Sequence, residues 1–161
     1  MIRAATAADA AALADLWNPW IRDTAITFNP VEKSPADIVQ MIADRNAAGH
    51  AFLLAETEGL LGFATYSQFR GGVGYATCME HTVVLSPQAR GRGVGRALMQ
   101  AIEDHARNAG AHQMIAGVSG ENEQGRGFHA NLGYREIAVV PEAGYKFGRF
   151  IDLVLMQKFL T

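Results

Sequence analysis

The segment Val83 to Leu98 constrains this chain more than any other. An apolar stretch, Val83-Val84-Leu85, runs into Ser86-Pro87-Gln88-Ala89 and then into Arg90-Gly91-Arg92-Gly93-Val94-Gly95-Arg96, where an amphipathic helix begins. The first N–H groups of a helix have no intrahelical partner, and the helix dipole places partial positive charge there. A strand feeding a glycine-rich helix start is therefore a seat for phosphate oxygens. Gly91, Gly93 and Gly95 let the main chain approach an anion where side chains would collide. Arg90, Arg92 and Arg96 can add charge-assisted hydrogen bonds. The alternative is a turn with solvated arginines. Two familiar phosphate loops do not match: a Walker loop needs Gly-Lys-Ser/Thr, and a dinucleotide fingerprint needs glycine where Arg96 stands.

With 161 residues, one domain spanning residues 1–161 is expected. A chain of this size buries roughly two-thirds of the surface its unfolded form exposes, so it needs no disulfide or metal staple. Fourteen Lys and Arg against sixteen Asp and Glu give a net charge of −2. The basic excess that usually marks nucleic-acid or membrane-surface binders is missing, so neither partner is expected. Cys78 is the one cysteine, which precludes an internal disulfide and suits a reducing compartment. It lies in an apolar stretch and reads as a core residue. The uncharged run Gly59 to Phe69 is far short of the ~20 apolar residues a membrane span needs. Asp9 and Asp15 interrupt the Ala-rich N-terminus where a signal peptide would be apolar. A cytoplasmic protein is expected.

Periodicity and punctuation give the order β-α-α-β-β-β-α-β-α-β-β. Thr6 to Asp9 has capping-box form, and Leu13, Leu16, Trp17 and Trp20 recur at helical spacing. Ser34-Pro35-Ala36-Asp37 opens a second helix that ends at Gly49. Ala51 to Glu56 and Leu60 to Gln68 read as a hairpin, and Tyr75 to Leu85 as a long strand. The helix from Val94 stops at Gly110, Gln113 to Val118 is a short strand, and a helix from about Asn122 to Leu132 ends at Gly133. Closing strands Tyr134–Val140 and Arg149–Phe159 flank a link, Pro141 to Gly148. The order suggests an α/β fold, in the broader sense α+β: a mixed central sheet with helices on both faces.

Glu80 is the candidate general base. A carboxylate inside the apolar stretch Met79 to Leu85 is costly unless it is paired or employed, and burial would raise its pKa toward a useful value. The alternative is an edge-strand glutamate facing water. His81 should point to the opposite face of the strand, where it lines a pocket or serves a structural role. His50, His105 and His112 show no ligand spacing, so no metal site is expected.

Arg90-Gly91-Arg92-Gly93-Val94-Gly95 resembles the Q/R-x-x-G-x-G/A loop of the GNAT acyltransferase superfamily, and the order of elements is similar along nearly the whole chain. The resemblance implies the GNAT fold and an acetyl-CoA cosubstrate. Its diphosphate would lie on the amides of Gly91 to Arg96, and its pantetheine arm along Val83, Val84 and Leu85. Asn122 matches a position that often contacts the cofactor; the alternative is a helix cap, and the two are compatible. Within the superfamily the chain looks most like the phosphinothricin and methionine sulfoximine N-acetyltransferases. Glu80-His81-Thr82-Val83-Val84-Leu85 matches their strand. Lys146-Phe147-Gly148-Arg149-Phe150-Ile151-Asp152 matches their C-terminal signature, with Phe150 where Trp is usual. His129 stands where many GNAT enzymes carry a tyrosine acid, and it would assist the departing thiolate; the alternative is a helix-surface histidine. By the same resemblance Phe28, Phe69, Arg70, Gly71, Gly72, Glu80, His81 and Thr82 would border a small amine substrate, and the protein would be a homodimer. The activity implied is direct transfer of acetyl to the α-amine of an amino acid or analogue. The alternatives are a polyamine, aminoglycoside or protein N-terminus as acceptor, or an acetyl-CoA-binding module without catalysis.

Overall fold

Local signals set the helix boundaries in the computed structural model, which describes residues 1–161. Thr6 and Asp9 form a capping box just ahead of α1 (Ala10–Asp23). Ser34 accepts from the Asp37 N–H at the start of α2 (Pro35–Ala47), and Asp37 reaches back to the Ser34 N–H. Each box satisfies amides that the helix leaves unpaired. Helix α3 spans Val94–Asn108 and α4 spans Glu123–Asn131.

The strands are β1 (Ile2–Ala4), β2 (Phe52–Glu56), β3 (Leu60–Gln68), β4 (Cys78–Leu85), β5 (Gln113–Ser119), β6 (Arg135–Lys146) and β7 (Arg149–Phe159). They form one sheet in the order β1-β2-β3-β4-β5-β7-β6. Every neighbouring pair is antiparallel except β4 and β5. One apolar cluster, built around Tyr66, Leu98, Met99, Ile102, Met114 and Met156, packs α3 on one face. A second, around Leu13, Trp17, Ile21, Ile38 and Phe63, packs α1 and α2 on the other. The expected mixed sheet with helices on both faces is the observed architecture.

Two expected boundaries move. The strand read from Tyr75 starts at Cys78, because Val73–Tyr75 is wound into a 3₁₀ turn behind Gly72. The segment Pro141 to Gly148 is not a link. Strand β6 continues through it to Lys146, with breaks in register between Glu136 and Ala138 and between Val140 and Gly144. Pro141 lacks an N–H, yet it is tolerated because β6 is an edge strand and the residue falls in an irregular stretch. The reversal is only Phe147-Gly148, both at positive φ (53° and 73°), as two-residue hairpin turns prefer.

Candidate active site

Strands β4 and β5 pair only at Cys78–Gln113, Met79–Met114 and Glu80–Ile115. Beyond Glu80 they part, although β4 stays paired with β3 as far as Leu85 and β5 with β7 as far as Ser119. A sheet that opens in its middle leaves backbone groups without strand partners. Even-numbered β4 residues turn their backbone groups toward β3, as the Phe69 N–H to Cys78 C=O bond and the neighbouring Ser86 N–H to Leu61 C=O bond show. Odd-numbered ones face β5, as Thr77 does in accepting from His112 and Gln113. By this alternation Val83 and Leu85 present their N–H and C=O groups to the gap. The Leu85 carbonyl accepts from Trp20 Nε1 at 3.2 Å, so Trp20, which periodicity marks only as helix core, also closes one side of the opening.

Glu80 stands at the fork. Its side chain is half-buried and takes part in no hydrogen bond or salt bridge. A Cβ added at Gly117 would lie 2.9 Å from Glu80 Oε2, so the missing side chain of Gly117 is what admits the carboxylate. Burial pushes the Glu80 pKa above the ordinary glutamate value. Thr82 lies on the same face, opposite Thr65. Position 117 carries no chemical group, and nothing short of the β4–β5 register would identify it from sequence.

At the far end of the gap, Gly91 and Gly93 adopt left-handed φ values of 72° and 74°. The first intrahelical bond of α3 runs from Ala97 N–H to Gly93 C=O, and the N–H groups of Gly93, Val94, Gly95 and Arg96 make no hydrogen bond. Those four unpaired amides at a helix start are a candidate seat for an anion. Gly95 has a different reason from the one expected. It is buried, and a Cβ there would lie 2.9 Å from both Leu85 Cδ1 and Phe128 Cε2, so it serves close packing of α3 rather than ligand approach. Arg90 and Arg92 are exposed, whereas Arg96 donates to the Asn131 carbonyl at the end of α4. Asn122 caps α4 through Oδ1, accepting from Gly125 N–H at 2.9 Å, which leaves its Nδ2 donors free. Cap and ligand contact are thus compatible in the geometry.

His129 and His81 form one unit on the opposite face from Glu80. Their rings stack at 5.0 Å, with Nε2 to Nε2 at 3.1 Å, and His129 Nδ1 is 2.6 Å from the Gly125 carbonyl. A carbonyl only accepts, so His129 carries its proton on Nδ1. In the neutral ring its Nε2 then accepts from His81 Nε2–H, and His81 Nδ1 is left as a buried acceptor without a partner. Burial lowers the pKa of both rings, that of His81 to about 3, where the nearby His129 ring lowers it further. The acid role expected of His129 therefore requires an additional proton that the site disfavours.

That exclusion predicts a pH dependence of stability. The unfolded chain protonates His81 near 6.5 and the folded chain near 3. The unfolded state thus binds more protons between those values, and stability falls as pH is lowered from about 6.5, by about 1.4 kcal/mol per pH unit for each excluded proton. Urea unfolding of the wild type and of His81→Phe between pH 7 and pH 5 reads the difference. The variant's slope should be shallower by close to one proton, and parallel slopes would refute the assignment.

The other residues expected to border the substrate divide into two groups. Phe28 is half-buried against Gly144. Phe69 is half-buried at the base of the β3–β4 loop. Arg70, Gly71 and Gly72 are exposed at its tip. The Arg70 guanidinium rests 5.7 Å from the Tyr75 ring, and Gln68 holds the carbonyls of Arg70 and Gly72. None of these hydrogen bonds or ring contacts reaches Glu80.

Residues 13–134 match the family model described as the acetyltransferase (GNAT) family. The chain is 34% identical over 157 residues to the L-amino acid N-acyltransferase MnaT of Escherichia coli (strain K12), covering 97% of this chain and 91% of that one. It is 32% identical over 161 residues to a phosphinothricin N-acetyltransferase of Streptomyces coelicolor, covering 98% and 94%. A solved acetyltransferase from Salmonella typhimurium, with its cofactor acetyl-CoA, superposes with a TM-score of 0.95 at 33% identity, covering all of this chain and 94% of the other. No helix here is long and apolar enough to cross a membrane.

Proposed function

The chain belongs to the GNAT acetyltransferase family and is an acetyl-CoA-dependent N-acetyltransferase; on that premise we propose that its acceptor is the α-amine of a small amino acid or analogue, such as phosphinothricin, methionine sulfoximine or an ordinary L-amino acid. The observation that carries this reading is the fork between β4 and β5, with an unpartnered carboxylate at one end and four free amides at the other. Residues 1–161 act as a single domain.

The diphosphate of acetyl-CoA lies on the amides of Gly93 to Arg96 with Arg90 and Arg92 beside it, and the pantetheine arm adds to the exposed edge at Val83 and Leu85 as a strand would. The thioester is thereby brought level with Glu80. Glu80 takes a proton from the acceptor ammonium, through a water molecule, and the freed amine attacks the thioester carbonyl carbon. As the C–N bond forms, the carbonyl electrons move onto oxygen, where a backbone N–H near Val83 stabilises them. The C–S bond then breaks, and the electron pair leaves with sulfur on the His129 side of the strand. His129 orients that end of the site with its Nδ1 proton held by Gly125. The thiolate takes its proton from solvent or from the amide nitrogen as the latter becomes neutral.

Strand β6 is the outer edge of the sheet, and Val139, Val140, Tyr145, Phe147 and Phe150 are exposed along the β6–β7 hairpin. Long apolar edges are normally covered. A second copy of the chain covers this one in the proposed homodimer; sedimentation equilibrium should give the mass of two chains, and Val139→Lys should shift it toward one. A lone thiol and the acetyl-CoA requirement suit a cytoplasmic setting.

Release of free thiol from acetyl-CoA tests the acceptor. The panel is methionine sulfoximine, phosphinothricin, L-amino acids, spermidine, an aminoglycoside and a peptide with a free N-terminus. Fastest turnover with the α-amino acids supports the proposal. Preference for the polyamine, the aminoglycoside or the peptide overturns it, and binding of acetyl-CoA without turnover across the panel marks a non-catalytic module.

A further inference from the structure

Lys146 is only 4% exposed and has no carboxylate partner. Lysines are almost never buried this far unpaired. An ammonium has three donors, and here each finds a backbone carbonyl: Ile21 at 2.5 Å, Thr24 at 2.7 Å and Thr27 at 2.7 Å. The Ile21 carbonyl belongs to the last turn of α1, whose final carbonyls lack helical partners and whose dipole favours a cation. Lys146 therefore caps α1 and grips the start of the loop that follows it, from more than a hundred residues away in sequence. The other end of the loop is tied separately. Asn18 donates to the Lys33 carbonyl and accepts from the Lys33 N–H, at 2.9 and 2.8 Å.

Between these two ties stands Phe28. A Cβ added at Gly144 would lie 2.6 Å from Phe28 Cδ2, so the ring lies directly on the β6 backbone. Gly144 is opposite Ile151 in the register, and Ile151 shares its face of β7 with Leu153. Leu153 borders the same point at Gly117 that Glu80 Oε2 approaches. The sequence of neighbours is thus Glu80, Leu153, Ile151 and Phe28, on the α1–α2 side of the sheet. Leu153 and Ile151 are ~7 Å apart along the strand. That stretch of floor, bounded by a carboxylate at one end and a ring at the other, has about the span of a small amino acid.

We propose that Lys146 is a positioning residue for the acceptor: it fastens the loop between α1 and α2 so that Phe28 is a fixed wall of the amine pocket. The inference rests on the reading that the acceptor lies beside Glu80. It assigns a role to a lysine that touches neither substrate nor reacting atoms. A merely structural lysine would alter melting temperature and leave the kinetics of folded molecules alone.

Lys146→Met keeps the length of the stem and removes the three donors. With the best acceptor of the panel, the variant's acceptor KM should rise at least tenfold, with KM for acetyl-CoA unchanged within twofold and kcat within about threefold. Amide hydrogen exchange across residues 24–33 should quicken while α3 and β4 stay protected. Gly144→Ala gives an independent route. It displaces Phe28 without touching the lysine, so it tests the wall alone: acceptor KM should rise while exchange near Thr24 stays slow. If Lys146→Met does not fold, Lys146→Arg, whose planar fork cannot place three donors on the same three carbonyls, takes its place with the same outcomes. Folded variants with unchanged acceptor KM and unchanged loop exchange overturn the proposal. Phe28→Ala separates the two readings. If it raises acceptor KM and Lys146→Met does not, only the role of Lys146 fails. If Phe28→Ala leaves acceptor KM unchanged while Lys146→Met quickens exchange, the pocket is misplaced, and the kinetic half of this proposal falls with it.

Discussion

Glu80→Gln is expected to lower kcat by about two to four orders of magnitude, the usual contribution of a positioned general base, while acetyl-CoA affinity stays within about twofold. Gln is nearly isosteric, so the space beside Gly117 remains filled and the β4–β5 fork keeps its shape. What is lost is the ability to take a proton. Because burial raises the Glu80 pKa, the acid limb of the wild-type kcat/KM profile should lie above the ordinary glutamate value of 4.5, with activity falling as pH drops through it. In Glu80→Gln that limb should disappear from the residual activity. Single-turnover thiol release across pH 5 to 9 reads both effects. A variant with near-normal kcat would remove Glu80 from proton transfer and leave it a polar lining of the fork.

Gly93→Val is expected to weaken acetyl-CoA by about a hundredfold or more. Gly93 holds φ at 74° and is the N-cap of α3. A β-branched residue strongly resists that conformation, so the turn opens and the four free amides lose their convergence. Hydrogen bonds to a charged group contribute about 1.5–3 kcal/mol each, and losing two accounts for the expected change. The matched control is Gly110→Val, just beyond the other end of α3. Gly110 also has positive φ, 98°, and like Gly93 it has nothing within 4 Å of an added Cβ. Both variants should lose stability through backbone strain, but only Gly93→Val should lose acetyl-CoA affinity by titration calorimetry. Equal affinities in the two variants would place the diphosphate elsewhere.

Helix starts, the glycine-rich loop ahead of α3 and the candidate base are legible in the chain itself because each depends on neighbours within one turn or on strand alternation. Ser34 with Asp37, and Asn122 with Gly125, close caps between residues three apart. Glu80 stands out because a carboxylate in an apolar strand needs a reason. Less of the closing hairpin is legible. Pro141 and Gly144 look like a link, yet an edge strand absorbs a proline and a register break that a central strand would not. The three loop glycines look equivalent in sequence. Two of them serve backbone conformation and the third serves packing against Phe128, a residue of another helix.

From one residue to the next, then, the order of letters already dictates where helices begin and where a glycine-rich loop precedes one. Folding in three dimensions alone decides that β4 leaves β5 just after Glu80, that Gly117 makes room for its carboxylate, that His81 and His129 share their protons as a pair, and that Lys146 closes on the end of α1. The physical reason is range. Caps and turns are interactions over a few bonds, whereas burial, and the hydrogen bonds that make it tolerable, depend on which distant segment arrives alongside.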